Sequence, residues 1–233
     1  MCCLTIVKTQ HHNIVFTHNR DEQWSRQTRG TFVQEYWFGN KKIWMPKDSL
    51  VDGTWIGSDG ARAAAILNGY KKNHLKKEKY RTSRGTIIPQ FLKETDTQKF
   101  LESFDPSGIE PFTLIVADNK KFITEIGWDE KEIHITKYDI ESPMIFSSFT
   151  LYDDNVQQKR KNLFLSLATT QSNQDDLWQF HETKGKDHGN FINVDYNNEI
   201  STVAISQIVL GDQPAFYYQS LLENQQKQNL NLI

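Results

Sequence analysis

The sequence predicts an α+β fold built from layers of sheets and helices. Strand-like segments are followed by helix-like segments and then by further strands, without the regular strand–helix alternation of a Rossmann-type fold. The gaps between successive strands over residues 112–147 are too short for crossover helices, which indicates antiparallel connections. The chain also has no internal repeat and no glycine-rich phosphate loop.

The individual elements follow from local patterns. Residues 2–8 and 14–18 are β-branched segments that a polar stretch joins into a hairpin, and a turn over residues 58–61 joins a second strand pair. Ser83 and Asp96 are expected to cap the first two helices. The predicted helices are 86–93, 98–104, 154–169 and 175–183. The other predicted strands are 54–57, 62–67, 112–117, 121–127, 132–137, 144–147, 202–210 and 215–218.

Size and composition favour a single domain, predicted over residues 1–224, followed by a polar tail over residues 225–233. The chain is 37% apolar and contains 14 Phe and 6 Trp, which can build a sizeable core. Its net charge of -2 and its lack of a dense basic block argue against nucleic-acid binding. The most basic stretch, residues 71–84, is predicted to be an exposed loop, which at a pocket rim would steer an anionic ligand.

Cysteine content and hydropathy indicate the compartment. Cys2 and Cys3 are adjacent, so an ordinary disulfide framework is not possible. No segment reaches the roughly 18 apolar residues that a membrane helix needs, and no charged leader precedes an apolar run. We therefore expect a cytoplasmic protein without an integral membrane segment, in a reducing compartment that keeps Cys2 as a thiol.

Cys2 is the first candidate for a catalytic role. Methionine aminopeptidase removes Met1 when the next side chain is small, which would leave a thiol and a free α-amine on one residue. The reference pKa of an α-amine is about 7.7 to 8.0, so part of it is neutral at pH 7 and able to take the thiol proton. The alternative is a small buried residue that opens a strand, which fits the apolar run over residues 4–7 equally well.

The tetrapeptide Asn19-Arg20-Asp21-Glu22 follows the second predicted strand, where the hairpin returns it beside Cys2. Arg20 would hold the thiolate or a substrate carboxylate, and Asp21 would hydrogen-bond the α-ammonium group. The alternative is a solvated turn with one surface ion pair.

Aromatic residues are dense just after this tetrapeptide. Some of them must belong to the core, whereas others, such as Trp24 and Trp55, would wall an apolar pocket suited to an acyl chain or a planar macrocycle. No metal site is expected, because the spacing of the cysteines and of His11 and His12 matches no recognised ligand pattern.

Several motifs occur in the order found in the NRDE family, which includes the transport and Golgi organisation protein 2 homologues. They are Cys2, Asn19-Arg20-Asp21-Glu22, Asp52-Gly53-Thr54-Trp55-Ile56-Gly57, the strand 63–68, Ser83-Arg84-Gly85 and the segment 112–118. This family resembles the N-terminal nucleophile hydrolases of the choloylglycine hydrolase and penicillin V acylase group. The resemblance implies an αββα sandwich of two packed, mainly antiparallel sheets with flanking helices.

The resemblance also implies roles for three residues. Cys2 would attack an amide, Asp21 would orient its amine, and Asn68 would help form the oxyanion hole. A side-chain N–H aimed at a developing oxyanion commonly lowers the barrier by about 3 kcal/mol. For Asn68 the alternative is turn formation with Gly69, because Asn-Gly is a strong turn dipeptide.

Three positions depart from the pattern of that group. The acylases have an arginine where this chain has His18, so Arg20 is carried over from a neighbouring position. Ser148 replaces an asparagine that would be a second oxyanion donor, and Glu199 replaces an arginine near the C-terminal strand. A hydroxyl can donate only one hydrogen bond, so the oxyanion hole would be weaker. The residues assigned to substrate binding are Asn19, Trp24, Trp55 and Ser148.

The leading hypothesis is a hydrolase, without a cofactor, that acts on an amide or related acyl bond of a small molecule. The alternative is a non-catalytic binding or trafficking protein on the same scaffold. What the resemblance implies for eukaryotic relatives points to an apolar acidic ligand such as haem or acyl-coenzyme A. The changes at Ser148 and Glu199 favour this alternative.

Overall fold

The computed structural model describes residues 2–23, 32–48, 52–118, 121–149, 154–168, 172–183, 192–196, 200–222 and 226–233. In chain order the strands are β1 (Cys2–Lys8), β2 (Ile14–Gln23), β3 (Val33–Phe38), β4 (Lys41–Pro46), β5 (Ile56–Ser58), β6 (Ala63–Asn68), β7 (Phe112–Ala117), β8 (Phe122–Trp128), β9 (Ile133–Asp139), β10 (Met144–Ser147), β11 (Asp195–Tyr196), β12 (Ile200–Leu210), β13 (Ala215–Ser220) and β14 (Gln228–Asn231). The helices are α1 (Ile87–Lys93), α2 (Thr97–Ser103), α3 (Asp154–Leu167) and α4 (Gln174–Glu182), and a 3₁₀ turn covers Arg84–Thr86. None of these described helices is long and apolar enough to cross a membrane.

Within the described residues the strands form two seven-stranded sheets, and every strand pair is antiparallel. The first sheet has the order β10-β1-β2-β12-β13-β14, with β11 also paired to β12. The second sheet follows the chain from β3 to β9, because short turns allow consecutive strands to pair. In the first sheet β2 lies between β1 and β12, so residues near both ends of the chain meet there.

Three hydrophobic clusters define the layers. Leu4 and Ile115 belong to the core between the two sheets. Phe91 and Leu114 belong to the core between the second sheet and α1 and α2, while Phe164 of α3 packs on the outer side of the first sheet. The order of layers is therefore α3 and α4, first sheet, second sheet, α1 and α2. The αββα sandwich implied by the resemblance is confirmed.

Most predicted elements lie within two residues of the observed ones. The Asp96 carboxylate caps α2 as predicted, since it accepts the backbone N–H of Lys99. Ser83 Oγ accepts the backbone N–H of Gly85 and so caps the 3₁₀ turn before α1, whereas Thr86 at the start of α1 makes no side-chain cap bond. The exception is β2, which extends to Gln23 instead of ending at residue 18. The tetrapeptide 19–22 therefore lies inside a central strand, where its side chains point alternately to the two faces of the sheet.

Four strands were not predicted: β3, β4, β11 and β14. Strand β14 corrects the expectation for residues 225–233, since Gln228–Asn231 pairs with β13 at the edge of the first sheet. Leu232 then enters the core between the sheets. A polar composition hid this strand because an edge strand needs only alternate residues against the core.

Candidate active site

The motifs that the sequence analysis singled out converge on one cavity of about 110 Å³. Cys2 and Arg20 reach it from neighbouring strands of the first sheet, and Asn68 reaches it from the end of β6 in the second sheet. Trp55 and the segment 83–85 complete the wall. The cavity thus lies where the edges of both sheets meet two loops, which is the common position for a site built on a rigid scaffold.

Cys2 lies at the start of β1, directly opposite Arg20 of β2. Burial raises the pKa of the Cys2 thiol above its usual value. The positive charges of the N-terminal ammonium group and of Arg20, together with the backbone of Asp21, offset only part of this effect. The resting thiol is therefore protonated at neutral pH and requires a base before it can attack.

Ser148 lies just after β10 and binds Cys2 twice. Its hydroxyl oxygen accepts the Cys2 backbone N–H at 2.9 Å, and its own N–H donates to the Cys2 carbonyl oxygen at 3.0 Å. The same hydroxyl oxygen lies 3.3 Å from the backbone nitrogen of Asn68. Ser148 is completely buried and is not among the residues that line the cavity, so substrate contact, the role assigned from the sequence, does not fit this position. Its hydroxyl instead fixes the backbone of Cys2, the candidate nucleophile.

Asn68 ends β6 and lines the cavity. Its backbone is fixed on both sides, since its N–H binds Ser148 Oγ and its carbonyl oxygen accepts the N–H of Phe149 at 3.0 Å. Gly69 has a φ of +78°, so the Asn-Gly dipeptide also makes the turn proposed as the alternative. The two interpretations of Asn68 are compatible: the turn ends the strand, and it leaves Asn68 at the cavity wall.

Arg20 is held rigidly in the cavity wall. Its guanidinium lies 2.6 Å from the Asp48 carboxylate and 3.5 Å from Glu22, and it stacks over Trp55 at 4.5 Å from the ring centroid. Trp55 is buried and its indole N–H points to Ser206 Oγ at 3.4 Å. Two carboxylates thus face one guanidinium, so the charge of Arg20 is already balanced within the protein.

Arg84 belongs to a motif and to the basic stretch 71–84 that the sequence analysis singled out, but it was not assigned as a site residue. It lines the cavity from the 3₁₀ turn, forms an ion pair with Glu110 at 3.0 Å, and donates to the Pro111 carbonyl oxygen at 3.1 Å. Glu110 also contacts His74 at 3.1 Å and does not line the cavity. The sequence signal for the position of Arg84 was the adjacent Gly85. A glycine is required there because the backbone at residue 85 passes close to the backbone of Gly53 and Thr54.

That close approach joins the two loops of the site. A Cβ on Gly85 would lie 2.8 Å from both the Gly53 Cα and the Thr54 nitrogen. Real Cβ atoms do not come so close to backbone, so only glycine fits. The Thr54 N–H donates to the Gly85 carbonyl oxygen at 3.0 Å, which fixes Arg84 relative to Trp55.

Asp21 lies beside Cys2, as the sequence analysis expected, but its carboxylate is engaged by β12. The Thr202 hydroxyl donates to Asp21 Oδ1 at 2.7 Å, and the Val194 N–H in turn donates to the Thr202 hydroxyl oxygen at 2.9 Å. Asp21 is completely buried. A carboxylate fixed in this way next to the strand start is suited to orienting a charged group.

Asn19 does not reach the cavity, which corrects its assignment to substrate binding. Because neighbouring strand residues alternate, it faces α4, where its Nδ2 donates to the carbonyl oxygens of His181 and Ile192, each at 3.1 Å. Burial lowers the pKa of His181 to about 3, so its ring is neutral. Since Asn19 Oδ1 can only accept, His181 Nδ1 donates to it at 2.8 Å, and Nε2 accepts from Thr5 Oγ1 at 2.7 Å.

Two other expected residues lie elsewhere. Trp24 and Glu199 are outside the described residues. His18 is completely buried between the sheets, and burial lowers its pKa well below the usual value, so it does not titrate near neutrality. Among the described residues, the one group with ligand atoms close enough to hold a metal ion is Asp129, Glu132 and His134 in and after the β8–β9 turn, and it does not line the Cys2 cavity.

Replacing Asn19 by Ala should destabilise the fold. The change leaves two buried carbonyl oxygens and the His181 ring without their amide partner, which we expect to lower the free energy of unfolding by about 2–4 kcal/mol. Urea unfolding measures this loss. The exposed Asn162→Ala on α3 is the matched control and should change stability by less than about 0.5 kcal/mol. Equal effects of the two changes would contradict the structural role of Asn19.

Alkylation of Cys2 should be slow at neutral pH and accelerate as pH rises. Because burial raises the pKa of this thiol, the iodoacetamide labelling rate is expected to be still increasing above pH 9. Peptide mass spectrometry after timed labelling gives the rate for each cysteine. Cys3, whose pKa burial raises to about 12, should remain unlabelled, and the chain unfolded in guanidinium provides the reference for free thiols. A plateau below pH 8, or equal labelling of Cys3, would refute this description.

Solved structures with the same fold include two groups of enzymes. Penicillin V acylase from Agrobacterium tumefaciens aligns with a TM-score of 0.66 at 12% identity, over 99% of this chain and 86% of that chain. A variant of conjugated bile acid hydrolase from Clostridium perfringens aligns with a TM-score of 0.61 at 11% identity, over 99% of this chain and 92% of the other. At such low identity the likeness shows the fold alone, which is that of the N-terminal nucleophile hydrolases.

Sequence comparison gives the family. A search of curated proteins found none with significant similarity to the chain. A family model described as Transport and Golgi organisation 2 matches residues 1–210, and the chain belongs to that family.

Proposed function

We propose that the chain is an N-terminal cysteine hydrolase that cleaves an amide or related acyl bond of a small molecule after removal of Met1. The observation that carries this proposal is the convergence of Cys2, Asn68 and two arginines on one cavity. The structural neighbours named penicillin V acylase and conjugated bile acid hydrolase support it by fold. We expect the protein to act in the cytoplasm, where reducing conditions keep Cys2 as a thiol.

The mechanism begins at the Cys2 nitrogen. Once Met1 is removed, this nitrogen is an α-amine 2.9 Å from Ser148 Oγ, which accepts one of its hydrogens and so orients its lone pair. The amine takes the thiol proton as sulfur attacks the acyl carbon, so the thiolate, which burial disfavours, forms only during attack. We assign to Asp21, which Thr202 holds in place on the strand next to Cys2, the role of stabilising the charge of the ammonium group.

The tetrahedral intermediate then collapses. The carbonyl oxygen carries the negative charge, and the Asn68 side-chain amide donates to it from the cavity wall. The C–N bond breaks, the leaving amine takes the proton from the Cys2 ammonium, and an acyl-thioester remains on sulfur. Water, deprotonated by the Cys2 amine, attacks this thioester and releases the carboxylic acid and the thiol.

The charged side chains of the lining are two arginines and two carboxylates, and the position of Arg84 among them supports an anionic substrate. Arg20 faces Asp48 and Glu22, which both line the cavity, whereas the counterion of Arg84 is Glu110, outside the cavity wall. Arg84 is therefore a lining cation whose ion-pair partner lies outside the cavity, so it can interact with a ligand while it keeps that partner. A substrate carboxylate or phosphate near the scissile bond would complement it.

A second candidate function is ligand binding without turnover. The raised pKa of Cys2 favours it, because little thiolate is present at neutral pH. Ser148 favours it as well, because it does not line the cavity and so does not supply a second oxyanion donor. The family description names transport and Golgi organisation and does not mention hydrolysis. Under this proposal the ligand is an apolar acidic molecule such as haem or acyl-coenzyme A, and Arg84 binds its acidic group.

An electrophilic acyl probe should label Cys2 of the purified full chain. Intact mass first establishes whether Met1 is removed, and peptide mass spectrometry then locates the adduct. Hydrolysis of N-acyl amides should be lost in Cys2→Ala and retained within about threefold in Cys3→Ala, because Cys3 faces the other side of β1. If Met1 is absent and Cys2 remains unlabelled, the hydrolase proposal is wrong. Saturable binding of acyl-coenzyme A that is unaffected by Cys2→Ala, without turnover, would instead support the second candidate.

Arg84→Gln should reduce acylation of Cys2 selectively for anionic probes. Loss of a charge-assisted contact corresponds to a decrease of about 10–100-fold in rate for a probe with a carboxylate, while a neutral ester of the same probe should change by less than about threefold. The rate at which each probe forms an adduct with Cys2 measures the two effects. Arg81→Gln is the matched control, since Arg81 is exposed and does not line the cavity. Equal losses for the two probes would show that Arg84 supports the fold and does not select the substrate.

A further inference from the structure

A second, larger cavity lies beside edge strand β10. Its volume is about 500 Å³, within the range of small-ligand pockets, and it shares no lining residue with the Cys2 cavity. Leu67, Met144, Phe146 and Phe149 give it apolar walls, and α3 forms one side of its mouth, where Leu165 is 46% exposed. The cavity is therefore open to solvent at α3 and enclosed by apolar residues further in.

Its innermost part is polar. Glu125 of β8 lines the cavity and is only 8% exposed, and the Tyr138 hydroxyl donates to its carboxylate at 2.9 Å. Thr113 lies on the same face of the sheet, and its hydroxyl donates to the Gly69 carbonyl oxygen at 2.7 Å. Both hydroxyl protons are thus used within the protein. What these three side chains offer to a ligand is a set of hydrogen-bond acceptors.

Glu125 has no structural explanation comparable to that of Arg20. Among the described residues no basic side chain lies within ion-pair distance of its carboxylate. Lys71 attracts it from beyond that distance, and this lowers the pKa of Glu125 less than burial raises it. Its neighbour on the same face of β8, Ile123, belongs to the apolar core between the sheets. Burial accordingly raises the pKa of Glu125. A carboxyl group kept in such a place reduces stability unless a ligand compensates for it.

We propose that this cavity binds a small molecule with an apolar body and a primary ammonium group, and that the ammonium donates to Glu125 and to Thr113 Oγ1 while the apolar walls enclose the body. The ammonium supplies three donors and a positive charge in direct contact with Glu125, which the more distant Lys71 does not provide. This site is separate from the Cys2 site and does not depend on its chemistry.

Three ligands of equal chain length test the proposal: octylamine, octanol and octanoate. Titration calorimetry on the full chain at pH 7 should show one site for octylamine, which is protonated there, at least about tenfold tighter than octanol. Octanoate should be the weakest of the three. In the Glu125→Gln variant octylamine should bind no more tightly than octanol. Glu132 is an exposed carboxylate between β8 and β9, and the Glu132→Gln variant should leave the order of the three affinities unchanged.

A second variant locates the site without altering its acid. Leu165→Trp adds bulk at the exposed mouth, so the fold should be retained, and binding of both octylamine and octanol should be lost. The proposal is overturned if octanoate binds as tightly as octylamine, as pairing with Lys161 at the mouth would produce, or if either variant leaves octylamine binding unchanged. If Glu125→Gln does not fold, the proposal is tested by the affinity order of the three ligands for the unaltered chain and by the loss of binding in Leu165→Trp.

Discussion

The site depends on the hydrogen bonds that Ser148 makes across the two sheets. Its hydroxyl lies between the backbone nitrogens of Cys2 in the first sheet and Asn68 in the second, and the next residue, Phe149, binds the Asn68 carbonyl oxygen. Each such bond adds only about 0.5–1.5 kcal/mol net, but these groups are buried, so an unmet partner would reduce stability by about 1–3 kcal/mol. One side chain that does not line the cavity therefore links the backbone of Cys2, the candidate nucleophile, to that of Asn68, the candidate oxyanion donor.

The same short strand segment has two separate tasks because β2 is buried on both faces. Arg20 points into the space between the sheets and forms the cavity wall, while Asn19 points outward and fixes α4 through His181. Charge is treated differently on the two faces. Arg20 is matched by two carboxylates, whereas the contact between Asn19 and His181 on the outward face uses a neutral amide and a neutral imidazole, which tolerate burial without a counterion.

Local signals in the sequence were sufficient for most elements and for the fold class. Hairpin turns, capping residues and β-branched runs act over a few residues, and the resemblance in motif order supplied the arrangement of layers. Strands β3 and β14 were not predicted, because each is an edge strand whose residues are largely exposed or polar. The contacts of Asn19, Ser148 and Arg84 were not predicted either. Each depends on the face of the strand that a residue occupies or on a partner far away in sequence. Asn19 and His181 are 162 residues apart, and Ser148 and Cys2 are 146 residues apart.

The alternation of side chains along β1 also has a consequence for redox chemistry. Cys2 faces the cavity, and Cys3 faces the opposite side, where it contacts Ser147. An oxidant that enters the cavity would convert Cys2 to a sulfenic acid, and the neighbouring thiol, on the far side of the sheet, is not placed to resolve it as a disulfide. Recovery of the thiol would then require an external reductant such as glutathione, so the two consecutive cysteines do not form a self-protecting pair.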